Sequence, residues 1–293
     1  MDFRNSRYIP YYIAGALIII ASVVIAIIVP GLQIEEEIPS QTRPPETTSV
    51  LRIEDGVPVY PDIPASTFAQ DNFIMKNGRA EYIDKNVKTY TGIDVSSFQR
   101  NIDWNKVKAD GIEFAIIRVG FRGYGSKGDI HKDDNAKKNI EGALKAGLKV
   151  GVYFFSQAIT VEEAIEEAEF VIDFIKDYKI TFPVVFDWEN EPGKNMRTDN
   201  LPDNILTDCA VAYCERVKQA GYIPAVYFNL NYGYMRYNLS SIKDYTFWFA
   251  QYKEESPEFY YNYSIWQYSY TGKVDGIDSD VDLNISFTDF TIG

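Results

Sequence analysis

From Gly92 to Ile285, short apolar runs alternate with amphipathic stretches, and this alternation leaves the chain few folds to choose from. The runs Gly92–Ser96, Phe114–Val119, Val150–Phe155, Val184–Trp188, Ala225–Phe228, Phe247–Ala250, Ser264–Tyr268 and Val281–Ile285 have the length and composition of buried strands. Helical periodicity fills the early gaps, over Trp104–Ala109, Asn135–Ala146, Val161–Ile175 and Asn204–Ala220. Gly111, Gly147 and Gly221 follow three of these stretches, where a left-handed residue closes a last helical turn. Strands separated by helices pair in parallel, because a parallel neighbour needs a long crossover. Eight strands in about 200 residues predict an α/β chain, a modified (β/α) barrel of TIM type on the short side. A doubly wound open sheet is the structural alternative. Beyond Phe228 the strands crowd together, so the second half of the barrel is expected almost bare of helices.

A barrel of this kind does its chemistry where the strands end, at the C-terminal face. Asp94 lies in the first run, the fourth closes as Val184-Val-Phe-Asp187-Trp-Glu189, and the last carries Asp282. Asp187 and Glu189 are two apart, so on a strand they point the same way with Cα atoms ~6.5–7 Å apart. Carboxyls that close raise each other's proton affinity, and one can stay protonated while the other is charged. That division suits glycoside cleavage, which needs an acid at the leaving oxygen and negative charge near a cationic centre. Asp-x-Glu alone is a weak signal, but here it ends an apolar strand, where an idle acid would be costly. Tyr153, Tyr227 with Asn229, Trp248 with Gln251, and Trp266 also lie at or near strand ends. Aromatic faces stack on sugar rings and amides bond to hydroxyl and acetamido groups, so these six are candidate substrate-binding residues. Singly, each reads more readily as a core or rim residue.

Charge and scarce residues narrow the chemistry. Acidic side chains number 42 against 29 basic ones, and the formal net charge is −13. That surplus excludes nucleic acid as a partner, since phosphate is bound through Lys and Arg. The region from Lys88 onward carries 31 acidic and 22 basic residues, the larger share of the surplus. His131 is the one histidine, in a polar run expected to be a solvated loop, so a histidine-dependent hydrolase or multi-histidine metal site is not supported. Cys209 and Cys214 are five apart in a helical stretch and read as separate buried thiols.

The N-terminal part is different in kind. Ile13 to Val29 is seventeen residues without a charge, enough for a spanning helix. Arg4 and Arg7 precede it and Glu35-Glu-Glu37 follow it, which predicts a cytoplasmic tip and an exterior remainder. Residues 1–30 are therefore expected to be tip and anchor, with residues 11–30 in the cell membrane. Residues 31–88 are expected to be a linker, because seven of the 13 prolines fall between Pro30 and Pro64. Within it, Asn77-Gly78 between two alternating runs predicts a small β flap over residues 73–85. Residues 89–293 would be the catalytic barrel.

With these residues assembled, the stretch from Gly92 to about Ile285 resembles glycoside hydrolase family 25, the lysozymes that act as N-acetylmuramidases. The likeness is carried by Gly92-Ile-Asp-Val-Ser96 with Gln99, Phe114-Ala-Ile-Ile-Arg-Val-Gly120, Ala146-Gly-Leu-Lys-Val-Gly-Val-Tyr153, and Asp187-x-Glu189. Ala250-Gln-Tyr252, Trp266-Gln-Tyr268 and Val281-Asp-Leu-Asn284 are similar to the closing segments of that family. Arg100 and Ala136 depart from its usual pattern, and neither removes a carboxylate. The resemblance implies five βα units followed by three strands. It implies hydrolysis of the β-1,4 bond from N-acetylmuramic acid to N-acetylglucosamine in the peptidoglycan glycan strand. Glu189 would be the proton donor, Asp187 would stabilise the acetamido group or the cationic transition state, and Asp94 and Asp282 would complete an acidic ring. No cofactor and no metal are implied. The competing readings are a wall-binding module without chemistry and a glycosidase acting on another amino-sugar polymer.

Overall fold

A computed structural model describes residues 52–54, 57–190, 193 and 196–291. The expected anchor and the expected linker up to residue 51 lie outside the described residues, as do residues 55 and 56. Two short strands, β1 (Arg52–Glu54) and β2 (Val57–Val59), pair antiparallel, followed by a hairpin of β3 (Phe73–Lys76) and β4 (Arg79–Tyr82). Then come β5 (Tyr90–Val95), α1 (Trp104–Ala109), β6 (Phe114–Arg122), β7 (Ile130–Lys132), α2 (Ala136–Lys145), β8 (Lys149–Ser156) and α3 (Val161–Ile175). The chain continues through β9 (Val184–Trp188), α4 (Asp203–Gln219), β10 (Pro224–Asn229), α5 (Leu230–Met235) and α6 (Leu239–Ile242). It ends with β11 (Thr246–Ala250), β12 (Ile265–Gly272) and β13 (Val281–Ser286).

Eight of these strands close a barrel in the order β5-β13-β12-β11-β10-β9-β8-β6, with β6 pairing back to β5. Helices follow the first five barrel strands; β11, β12 and β13 follow one another without any, as the resemblance implied. β13 runs antiparallel to both neighbours, which a return without a helical crossover permits. The helix ends obey local rules. Asp103 caps α1 by accepting from the backbone of Asn105 and Lys106, and Thr160 caps α3. His131 lies in β7 against β6, stacked on Phe121, so it is exposed as expected but in a strand rather than a loop.

Tyr90, Phe114, Ile116, Phe182, Val185, Ala225, Trp248 and Ile265 fill the barrel interior. Gly92 is required there, because a Cβ on it would fall 2.2 Å from the Phe114 ring. This plug leaves only the upper end of the barrel for polar groups.

The helix-free strands need another cover, and the chain N-terminal to the barrel supplies it. Tyr60, Ile63, Phe73, Ala80 and Tyr82 are buried. Phe73 meets Trp266 edge-on at 5.6 Å, and Phe68 stacks on Phe287 at 4.2 Å. Ala65 bridges Tyr261, and the Tyr60 N–H donates to the Tyr261 hydroxyl at 2.6 Å. Asn77 and Gly78 take φ of 51° and 75°, the two left-handed residues of a tight hairpin turn. Pro61 and Pro64, read from sequence as part of an extended spacer, thus lie in a strap on the barrel, because the bare strands present apolar surface to it.

Candidate active site

Inward-facing positions of the strands deliver acids to the C-terminal mouth. Asp94 on β5 stands in register opposite Asp282 on the antiparallel β13. Asp94 Oδ2 accepts from Gln267 Nε2 at 2.8 Å and from Asn284 Nδ2 at 2.7 Å. Both amides are oriented from behind. Asn284 Oδ1 accepts from Trp248 Nε1 at 2.8 Å. Gln267 Oε1 accepts from the Tyr227 hydroxyl at 2.9 Å and the Tyr252 hydroxyl at 2.5 Å.

These bonds favour the charged form of Asp94, but burial outweighs them and pushes its pKa up to about 6. Asp282 is raised well above the usual carboxylate range, first by burial, then by the charges of Asp94 and Glu189. The two acids titrate as a pair, and the mouth holds a proton at pH values where a free carboxylate has lost it.

Asp187 is the penultimate residue of β9, is 6% exposed, and pairs in register with Tyr227 on β10 and Phe155 on β8. Glu189 follows one residue past the strand end and is half-buried. Tyr153 stands among these groups: burial raises its hydroxyl pKa well above the ordinary tyrosine value, and Asp94, Asp187 and Asp282 add to the rise. Tyr153 is thus a proton-bearing donor in the mouth. Arg118 opposes that rise from beside it, its Nε donating to Asp133 at 2.9 Å and its Nη2 to Ser97 Oγ at 3.2 Å.

The structure brings together Asp94, Asp187, Glu189, Asp282, Tyr153 and Tyr227. Other candidate substrate residues serve elsewhere. Trp248 is 1% exposed, so its ring offers no open face, and its indole orients Asn284. Asn229 accepts from the Tyr232 N–H and caps α5. Gln251 uses both ends of its amide on Glu258, each at 2.8 Å, and closes the loop after β11. Trp266 is fully buried on the outer side of β12, against Phe73 of the strap. The reason is the two-residue period of a strand: Ile265 and Gln267 point inward, so Trp266 cannot. That same period is the signal that identifies Gln267. Tyr252 and Asn284 join it through the Asp94 network. Among the described residues, no three His, Cys, Asp or Glu side chains are clustered as a metal ion requires.

Comparison with known proteins supports the architecture. The family model of the glycosyl hydrolases family 25 matches residues 93–277. The chain is 28% identical over 193 residues to the autolytic lysozyme of Clostridium acetobutylicum, covering 66% of this chain and 54% of that protein. It is 29% identical over 204 residues to lysozyme M1 of Streptomyces globisporus, covering 66% of each. Among solved structures, a bacterial lysozyme from Streptomyces coelicolor superposes with a TM-score of 0.57 at 26% identity, over 69% of this chain and 92% of that one. The modular autolysin LytC of Streptococcus pneumoniae, in complex with a synthetic peptidoglycan ligand, superposes with a TM-score of 0.60 at 22% identity, over 73% and 52%. The chain thus spans about half the length of the autolytic lysozyme and of LytC.

Proposed function

The chain belongs to the glycosyl hydrolases of family 25, and from that premise we propose that it hydrolyses the β-1,4 bond between N-acetylmuramic acid and N-acetylglucosamine in peptidoglycan. The observation that carries this reading is the convergence of Asp94, Asp187, Glu189 and Asp282 on one barrel mouth, where burial keeps protons available. The names of the relatives support the substrate class: two are lysozymes, and LytC was solved with a peptidoglycan ligand.

Glu189, at the open end of the pair, donates a proton to the leaving oxygen. Asp187, more deeply set, holds the substrate's acetamido group or stabilises the positive charge that develops at the anomeric carbon. Tyr153 presents an aromatic edge and a hydroxyl to the sugar, while the Tyr227 hydroxyl holds Gln267 in place behind Asp94. The Asp94–Asp282 pair limits how much negative charge the mouth carries when empty. As cationic character grows during bond cleavage, that charge is what the site can stabilise.

The same proposal assigns the place of action. Residues 11–30 anchor the protein in the cell membrane, the N-terminus is cytoplasmic, and the barrel faces the wall outside. The support is the uncharged run and the flanking charges. Protease treatment of intact and opened cells checks this: the barrel should be cut in both, the N-terminal tip only in opened cells.

The enzymatic test is digestion of purified peptidoglycan by the full chain, with mass analysis of the products. New reducing ends on muramic acid are expected. New reducing ends on glucosamine, or binding without cleavage, would contradict the proposal.

A further inference from the structure

Glu189 lies one residue beyond the last rung of the β8–β9 ladder, where Ser156 stands opposite Trp188. A residue just past a strand end is ordinarily mobile, as loop residues are. Here the Gln157 side chain takes the place of the next rung. Its Nε2 donates to the Glu189 carbonyl at 2.6 Å and to the Ser156 carbonyl at 2.9 Å, which uses both amide hydrogens. Its Oε1 accepts from Thr198 Oγ1 at 3.5 Å. Gln157 is fully buried, where a carboxamide is costly unless its bonds are made. The flanking residues are tied as well, one by its side chain and one by its backbone. Trp188 Nε1 donates to the Ala158 carbonyl at 2.9 Å, and the Asn190 N–H donates to the Tyr232 hydroxyl at 2.9 Å. Residues 188, 189 and 190 are therefore each held, with Gln157 on the middle one.

We infer that Gln157 is a positioning residue for the proton donor, a side-chain rung that extends the parallel ladder far enough to fix the Glu189 backbone. The inference rests on the reading of Glu189 given above. Its consequence is kinetic. The Glu189 carboxyl belongs to the charge cluster that raises Asp282, and that coupling needs Glu189 to stay near the mouth. Without the rung, Glu189 gains freedom to turn toward water, and the fraction of complexes with a correctly placed acid falls.

Gln157→Met keeps the volume and removes both donors. On soluble glycan fragments its kcat should fall ~10–100-fold, as for misplacement of about an ångström, with KM within about threefold of wild type. The basic limb of its kcat/KM profile should move to lower pH, while thermal melting shows a folded chain. A folded Gln157→Met variant with wild-type kcat and pH profile would overturn the inference. Should that variant not fold, Gln157→Glu decides. Its carboxyl donates only when protonated, so its kcat relative to wild type must recover as pH falls; a ratio flat with pH overturns the inference. Glu189→Gln, assayed beside them, separates two failures. Full activity there means the donor itself is misassigned. An inactive Glu189→Gln with a normal Gln157→Met means only the positioning role has failed.

Discussion

Glu167 on α3 and Asp94 on β5 are both buried carboxylates of one barrel, and they meet opposite company. Glu167 faces Arg122, whose Nε donates to it at 2.7 Å. Arg122 also donates to Glu166 at 2.8 Å, the Gly128 carbonyl at 2.7 Å and the Glu163 carbonyl at 2.9 Å. Asp94 meets two neutral amides and a second acid, Asp282. Burial raises both, Glu167 to about 7 and Asp94 to about 6. The first group ties α3 to the hairpin of β6 and β7 and settles its charge with a cation. The second leaves two acids side by side at the mouth with no cation between them, so that burial and each other's charge hold a proton there. A group that serves the fold can be neutralised; one that serves a reaction has to keep its proton or its charge for the substrate.

That contrast can be broken at several points. Arg122→Met should cost most, ~3–5 kcal/mol, because Glu167 would stay buried without its cation. Urea unfolding of the variant measures it, and a loss near zero would show that Arg122 is not what holds Glu167.

Phe73→Ala, which takes the ring of the strap off Trp266, should cost somewhat less. Each large apolar side chain taken from the strap gives up ~1.5–3 kcal/mol of burial. Trp266 would lose Phe73 and its fluorescence would shift to the red. Unchanged emission and melting would mean the Phe73 contact is dispensable.

Asp94→Asn should go the other way and stabilise the protein by ~1–3 kcal/mol at pH 7 while impairing cleavage. The sign follows from proton counting. The folded pKa is raised, so between about pH 4 and 6 the folded state keeps a proton that the unfolded chain has released. Asp94 therefore makes stability fall as pH rises through that window, and the variant should lack this part of the slope. Equal slopes in wild type and variant would contradict the assignment.

Gln251→Ala should have the smallest effect, ~1 kcal/mol, with near-normal cleavage, because its amide bonds only the Glu258 loop. A large loss of substrate affinity would return Gln251 to the site.

Much of this was legible in the sequence wherever one period dominates. Val161–Ile175 and Val184–Trp188 have the same bounds in the structure as in the pattern, since nothing competes with their helical or strand repeat. Other strands run one or a few residues longer, because ladder pairing continues after the apolar run stops. The four acids were legible because each ends or occupies an apolar strand. The strap was not, because its burial depends on surface left bare by strands nearly 200 residues away in the chain. Trp266 and Gln267 were exchanged in importance: size favoured the indole, but inward direction alternates residue by residue, and the amide has the inward place. Gln157 was invisible for a related reason, since its worth lies in a carbonyl just past the end of the next barrel strand.

The central claim is that the mouth acids serve chemistry and the Arg122 group serves the fold. Glu189→Gln tests it most directly when cleavage of peptidoglycan and unfolding free energy are measured on the same preparation. The account predicts a rate ~10²–10⁴-fold lower with stability equal to or above wild type. A folded Glu189→Gln chain that cleaves at the wild-type rate would contradict it.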